Sequence, residues 1–392
     1  MLTVESNGLR LLRRLSAAVC GKRNVGSAAE HLGDSKVLAD DSHHTWMGEG
    51  GDGSGMPHTP VMVREVLDCL DPQPGQVYVD VTFGAGGHTK AILAAQPDTV
   101  VYAMDRDPAA HSMAQNMAKQ YGKSIRPVLG RFSELLYLLS SQNVQENTVD
   151  GFLFDVGASS MQFDQGGRGF SLSQDGPLDM RMDGERFGNK QPTAADVVNS
   201  LGEDDLYGII KTYGEERHAR KIASAIVDTR HKRPITTTKQ LAGIVASALA
   251  PPGVFFAYDK LNRAVHPATK TFQALRIFVN DELNELYQGL QAARYFLKPG
   301  GRAIVITFHS LEDRVAKRYF QGVNMRQHGG MSIHHRKREG ELLKEEGLPG
   351  VEMQGPRKEW TILTGKVMRP HWAEVMENPR ARSAKLRAAI KN

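Results

Sequence analysis

Val77-Tyr78-Val79-Asp80-Val81-Thr82-Phe83-Gly84-Ala85-Gly86-Gly87-His88 is an apolar run that ends in glycines, with helical spacing continuing to Ala95. A run of this length, rich in β-branched and aromatic residues and bounded by glycine, reads as a strand that turns directly into a helix. The pattern then repeats. Thr99 to Met104 is a second strand and Pro108 to Tyr121 a second helix, while Ile125 to Leu129, Gly151 to Asp155 and Ala303 to Phe308 are three more apolar runs. Such alternation implies βαβ units and a parallel sheet with right-handed crossovers, so the expected class is α/β with a Rossmann-like sheet. The folded part is expected to open at His58-Thr59-Pro60-Val61, before the helical spacing of Val63, Val66, Leu67 and Leu70.

The interval between Asp155 and Ala303 is far longer than a single crossover helix needs. It begins with a loop rich in glycine and aspartate, Gly166 to Gly188, and continues with helical patterns at Glu203 to Tyr213, Glu215 to Thr229 and Thr238 to Ala250. A helical insertion is therefore expected between the fourth and fifth strands, and Thr271 to Leu297 reads as one helix that rejoins the sheet. The resulting division is 1–56 as leader and linker, 57–167 with 266–392 as a discontinuous core, and 168–265 as an insertion for substrate recognition.

Composition sets outer limits. With 392 residues, 40% hydrophobic and 24% charged, the chain is that of a folded globular protein, and it contains no apolar run of the ~20 residues a membrane helix requires. Its two cysteines, Cys20 and Cys69, argue against a disulfide framework, and the pairs His43-His44 and His334-His335 lack soft partners, so no metal site is expected. The net charge of +5 is modest, but basic residues collect at both ends and around His334 to Arg338. On a helix, Leu11, Leu12, Leu15 and Val19 oppose Arg10, Arg13 and Arg14, and Glu5 is the only acid before Glu30. That is the pattern of a mitochondrial presequence, which places the protein in the matrix, with Gly21 to Met56 as linker.

Glycines at a strand-to-helix turn let backbone approach a ligand, and Asp105 at the end of the second strand can accept both hydroxyls of a ribose. A dinucleotide site wants a third glycine where Thr89 stands, which disfavours NAD. S-adenosylmethionine carries no pyrophosphate, and Asp80, Gly84 and Gly86 have the spacing of a methyltransferase first strand. Asp155-Val156-Gly157-Ala158-Ser159-Ser160 ends the fourth strand, where ligands bind in open sheets.

Many separate motifs then agree with one family. His58-Thr59-Pro60-Val61, Thr82 to His88, Asp105-Arg106-Asp107-Pro108, Arg168-Gly169-Phe170-Ser171, Asp175 to Asp183, Tyr213 to Arg217, His266-Pro267-Ala268-Thr269, Thr271 to Arg276, Phe308 to Arg314 and Asn378 to Ser383 occur in order. From Pro57 to Lys391 the chain resembles the bacterial small-subunit rRNA cytidine-N4 methyltransferases and their mitochondrial counterparts. The resemblance implies a class I S-adenosyl-L-methionine-dependent enzyme acting on ribosomal RNA in the small ribosomal subunit or its assembly intermediate, with a homodimer as a further possibility. It also implies that Gly86, Gly87 and His88 line the cofactor, with Asp105 on its ribose, Phe132 and Asp155 near the adenine and sulfonium side, and Gln162 closing the site. Where the family commonly has a proline before the glutamine, this chain has Met161.

Each residue also has a plainer role open to it. Phe132 can pack under the sheet, His88 can cap the first helix, and Asp155 can satisfy turn amides. Asp179, Arg181 and Asp183, interleaved with Met180 and Met182, read as a strip for binding a base or as solvated charges. His309 and Glu312 read as a helix N-terminal box or as site residues. Arg380, Arg382, Lys385, Arg387 and Lys391 form an acid-free run that follows an RNA backbone or else a helix with its basic face outward. For methylation of an amine, Asp155 or a group from Gly157 to Ser160 is the expected acceptor of an N–H, and neither cysteine sits at a strand end. A small-subunit assembly factor with an idle methyltransferase core is the alternative function.

Overall fold

The computed structural model describes residues 60–249, 257–258, 264–323 and 359–392. The presequence and linker expectation, His58-Thr59 and the basic cluster His334 to Arg338 lie outside those residues. Seven strands form one sheet: Val77–Asp80 (β1), Val100–Asp105 (β2), Ile125–Leu129 (β3), Val149–Asp155 (β4), Leu297–Thr307 (β7), Trp360–Ile362 (β8) and Lys385–Lys391 (β9). Ala257–Tyr258 (β5) and Ala264–Val265 (β6) pair separately and antiparallel.

The spatial order is β3-β2-β1-β4-β7-β9-β8, parallel from β3 to β7. β9 runs antiparallel between β7 and β8, so the last segment of the chain wedges into the sheet. A dinucleotide-binding sheet continues in parallel to its sixth strand, and this one does not. Phe152, Leu153 and Phe154 in β4 and Ala303 to Thr307 in β7 are buried throughout, as expected of strands covered on both faces. The chain leaves β1 toward β2 on one side and reaches β4 on the other, which opens a crevice at the carboxyl ends of β1 and β4.

Helices flank the sheet: Val63–Leu70 (α1), Gly87–Ala95 (α2), Pro108–Tyr121 (α3) and Leu135–Ser141 (α4). The third starts where the sequence dictates, because the Asp107 side chain accepts from the Ala109 amide and Pro108 occupies the first turn. After β4 come Ser160–Asp164 (α5), Ala194–Ser200 (α6), Glu203–Tyr213 (α7), Ala219–Arg230 (α8) and Thr238–Leu249 (α9). Helix α7 carries Glu203, Asp204 and Asp205 in its first turn and Lys211 in its last, in accord with its dipole. Leu206, Ile209 and Ile222 of the insertion share one apolar cluster with Leu275 and Phe278 and with Val79 and Phe152 of the sheet. Insertion and sheet thus have a continuous core.

Two expected helices differ. Glu215 has φ 49°, so the turn Tyr213 to Arg217 precedes α8 instead of belonging to it. Thr271 to Leu297 is not one helix but Thr269–Asn280 (α10) and Glu282–Phe296 (α11), broken at Asp281 with φ 50°. The break lets the Asn280 amide grip the backbone of Met180 and Met182 at 2.7 and 2.8 Å. The chain closes with Ser310–Phe320 (α12) and Trp372–Glu377 (α13). Among the described residues no helix is long and apolar enough to cross a membrane.

Candidate active site

The glycine turn is held from behind. Gly86 has φ 81°, and a Cβ there would lie 2.4 Å from the Met117 methyl and 2.6 Å from the Phe83 ring. At Gly87 a Cβ would lie 2.7 Å from the Pro60 ring. Both glycines are therefore required by packing inside the protein as well as by any ligand in front. Gly86→Ala is expected to destabilise the fold by about 2–3 kcal/mol, from left-handed strain plus overpacking, measured as a lower urea midpoint at unchanged slope. Thr89, which displaces the third glycine, donates its hydroxyl to the buried Asp80 carboxylate at 2.7 Å. Asp80 also accepts from the Thr82 amide at 3.2 Å, so it shapes the turn from within.

Asp105 ends β2 with each oxygen anchored once: Oδ2 accepts from the Gly84 amide at 2.8 Å and Oδ1 from the Asp107 amide at 2.9 Å. Each carboxylate oxygen has a second lone pair to offer, which suits a vicinal diol. Burial pushes this carboxyl up to about 6 despite the two amides.

Asp155 ends β4, with its amide donating to the Thr82 hydroxyl at 2.7 Å. Its Oδ2 lies 3.5 Å from His88 Nε2, while its Oδ1 and both His88 ring nitrogens are buried without a hydrogen-bond partner. His88 is the second residue of α2 and is 5% exposed, so it does not cap the helix from solvent. Burial opposes protonation of the ring, yet Asp155 and Asp80 outweigh it and raise its pKa. Buried orphaned polar atoms call for a partner. They lie at the carboxyl edge of β1 and β4, where the glycine turn begins α2, and Asp105 stands at the same edge on β2.

The other expected site residues are placed less directly. Phe132 follows β3 and meets the Phe154 ring edge-on at 5.7 Å, while its Cβ fills the space a side chain at Gly289 would need. Gln162 is 3% exposed and fully engaged: its carbonyl accepts from the Ser159 amide at 3.0 Å and its Nε2 donates to Asp107 at 2.9 Å. It ties the start of α5 to Asp107.

The strip expected to bind a base does another job. Asp183 is 0% exposed and takes Arg131 on both oxygens, at 3.0 and 2.9 Å, together with Arg106. Arg181 is spent on Asp179 at 2.8 and 2.7 Å, and Met180 and Met182 are buried. Arg168 completes the clamp, donating to Asp107 at 2.7 Å and to the Arg181 and Met182 carbonyls at 3.0 Å. Asp183 thus fastens the insertion's root to Arg106 and Arg131, which follow β2 and β3, while the side chains of Asp179 and Arg181 pair with each other within the loop.

The acid-free C-terminal run is corrected too. Arg380 and Arg382 lie in the 3-10 helix Pro379–Ser383, and the rest enters the sheet as β9, where Arg387 pairs with Asp313 at 2.7 Å and Lys385 lies 3.6 Å from the same acid. Lys391 donates to the Arg294 and Leu297 carbonyls. Only Arg380 and Arg382 stay at the surface, and Arg380 pairs with Asp164 of α5. His309 and Glu312 form the helix N-terminal box of α12. Ligand atoms of Glu282, His309 and Glu312 come within 4.8 Å of one another, a possible metal cluster, but the Arg276 guanidinium already binds Glu282 at 2.8 Å twice and lies 3.7 Å from Glu312. Its positive charge occupies the place a cation would take.

Residues 55–392 match the MraW methylase family. The chain belongs to that family. It is similar to the 12S rRNA N(4)-cytidine methyltransferase METTL15 of Homo sapiens, 53% identical over 85% of this chain and 82% of that one. It is also similar to the ribosomal RNA small subunit methyltransferase H of Methylorubrum extorquens, 46% identical over 84% and 85%. The probable methyltransferase-like protein 15 homolog of Drosophila melanogaster is 46% identical over 86% and 92%. Together with the strand order, membership makes the fold that of a Rossmann-like methyltransferase.

Sequence reasoning missed several residues that hold this strand edge together. Thr82 fixes the amide of Asp155, and Arg106, Asp107 and Arg131 fasten the loop beyond it. The run Asp105-Arg106-Asp107 was visible, but its spacing alone does not say which charge faces the crevice and which faces the insertion.

Proposed function

We propose that this MraW-family protein transfers the methyl group of S-adenosylmethionine to the N4 amine of a cytidine in small-subunit ribosomal RNA, in the mitochondrial matrix. The observation that supports the reading is that Asp105, with spare lone pairs, and Asp155, with an unpartnered buried oxygen, both stand at the carboxyl edge of the sheet, on either side of β1. The names of the relatives supply the substrate class, and the arginine-rich amphipathic pattern at Arg10 to Val19, with the 12S target of the human relative, supplies the compartment. The residues fit the cofactor, since Asp105 has spare lone pairs toward a ribose and the glycine turn at Gly84 and Gly86 adjoins it.

S-adenosylmethionine brings the methyl on a sulfonium that is its own leaving group, so the protein's part is to hold nucleophile and methyl in line. Asp105 fixes the ribose, and Gln162, held by Ser159 and Asp107, keeps the loop after β4 in place. The cytosine N4 lone pair is delocalised into the ring. Asp155 accepts one N4–H, which draws the nitrogen toward a tetrahedral, nucleophilic form, and once the methyl is on nitrogen the same carboxylate takes the proton and passes it to solvent. A target base must leave its stack to arrive there, which is cheapest in an unpaired segment.

The test is incubation with small subunits from cells lacking the protein and isotopically labelled S-adenosylmethionine, followed by nucleoside mass spectrometry. Label in N4-methylcytidine is expected; label in another nucleoside overturns the target, and none at all, with cofactor bound, favours an assembly factor with an idle core. Asp155→Asn is expected to lower kcat by about 100-fold with cofactor affinity nearly unchanged, because only the N–H acceptor is weakened. Full turnover in that variant would remove Asp155 from the role.

A further inference from the structure

β9 enters the sheet antiparallel to β7, with Lys385 beside Thr307 and Leu386 bridged to Met368. The segment before β9 is therefore confined to the carboxyl edge of the sheet, the edge that carries Asp105 and Asp155. It is tied there twice: the Met62 amide donates to Glu374 at 2.6 Å, next to the Pro60 ring that roofs Gly87, and Arg380 pairs with Asp164 of α5. Helix α13 in this segment presents Trp372 and Met376 one turn apart and on one face, 72% and 74% exposed. Such large apolar groups left open on a short rim helix are unusual, and elsewhere in the described residues tryptophan is buried, as at Trp360.

Charge identifies the occupant. From Lys366 to Ser383 the cations are Lys366, Arg369, Arg380 and Arg382 and the acids are Glu374 and Glu377, and Glu374 is turned inward onto Met62. An aromatic face set among exposed cations at the rim of a site suits unstacked nucleotides, with the base on the ring and phosphates on the arginines. We propose that Trp372 is a stacking platform for a base of single-stranded RNA next to the cytidine to be methylated, with Met376 extending the apolar face and Arg369 and Arg382 taking phosphates. The platform rests on the reading of RNA as substrate. It explains how the target is kept out of its stack: a neighbouring base finds a protein ring in place of the one it gave up.

The three tryptophans make the test direct. In the full chain carrying W46F, emission comes from the buried Trp360 and the exposed Trp372, and a single-stranded RNA oligomer of about 12 nucleotides is expected to quench it saturably, within the usual site size. The quench is expected to vanish in Trp372→Ala. With small subunits as substrate, Trp372→Ala should raise KM on the order of tenfold with kcat and cofactor affinity within about twofold, while Trp372→Tyr keeps most of the affinity. An unchanged KM in Trp372→Ala, or a quench that persists without Trp372, overturns the platform. So does a response to small-subunit proteins but not to RNA, which would make the face a protein-docking site. Absence of N4-methylcytidine with an intact, Trp372-dependent quench would sink the proposed reaction and leave the platform standing.

Discussion

Asp183→Asn is expected to lower the unfolding free energy by about 3–5 kcal/mol, the usual result of leaving buried charges without their counter-ion. The side chain is wholly buried, and two guanidiniums, Arg106 and Arg131, converge on it. Asparagine keeps the shape and one acceptor but leaves the largely buried Arg106 and the partly buried Arg131 without their counter-charge. The native pair also predicts a pH dependence. Burial opposes ionisation of Asp183, yet Arg106 and Arg131 outweigh it and hold the carboxyl below the usual range. Its stabilisation is therefore fully present above the unfolded pKa of about 3.9 and is lost as pH falls through the folded value. Urea titrations at pH 7 and near pH 3 should show the wild type and variant converging in acid. Equal midpoints at pH 7 would mean that the clamp contributes nothing. Because Arg168 and Asp107 join the same loop to the residue after Arg106, the variant is also expected to bind cofactor less tightly.

Asp105→Ala is the second large effect. Two hydrogen bonds from ribose hydroxyls to a charged acceptor are worth roughly 1.5–3 kcal/mol each, so cofactor affinity should fall by about two to four powers of ten. Titration calorimetry reads this directly. The free carboxyl titrates near 6, raised by burial. The hydroxyls bind its ionised form, so wild-type affinity should be level above about pH 6 and drop about tenfold per unit below it, since each proton bound must first be lost. A flat profile to pH 5, or an alanine variant of unchanged affinity, would move the ribose elsewhere.

These two aspartates mark the limit of what a linear text reveals. Asp105 was legible because its meaning is local: it ends an apolar run, follows a glycine turn by one crossover, and so must stand at a strand's carboxyl end. The same holds for Asp155 and for Gly86. The break at Asp281 was not legible. Nothing in its neighbours forbids a continuous helix, and it exists because Asn280 reaches the loop at Met180 and Met182, residues 100 and 98 positions away.

The basic C-terminal run teaches the same lesson in the opposite direction. Its alternation Lys385, Arg387 beside Leu386, Ala388 is a strand pattern once its neighbour β7 is known, but its charges dominated as long as their partners were hidden. Hydrophobic periodicity and turn chemistry are properties of short windows, so the chain alone determined the alternating elements, the glycine turn and the acids that end the strands. How each charge is used depends on a partner far along the chain, as with Arg106 and Asp183, 77 residues apart, or Arg106 and the Asn280 carbonyl, 174 apart. Folding alone set those pairs, because removing a charge from water is tolerable only where the fold supplies its counter-charge at hydrogen-bond distance.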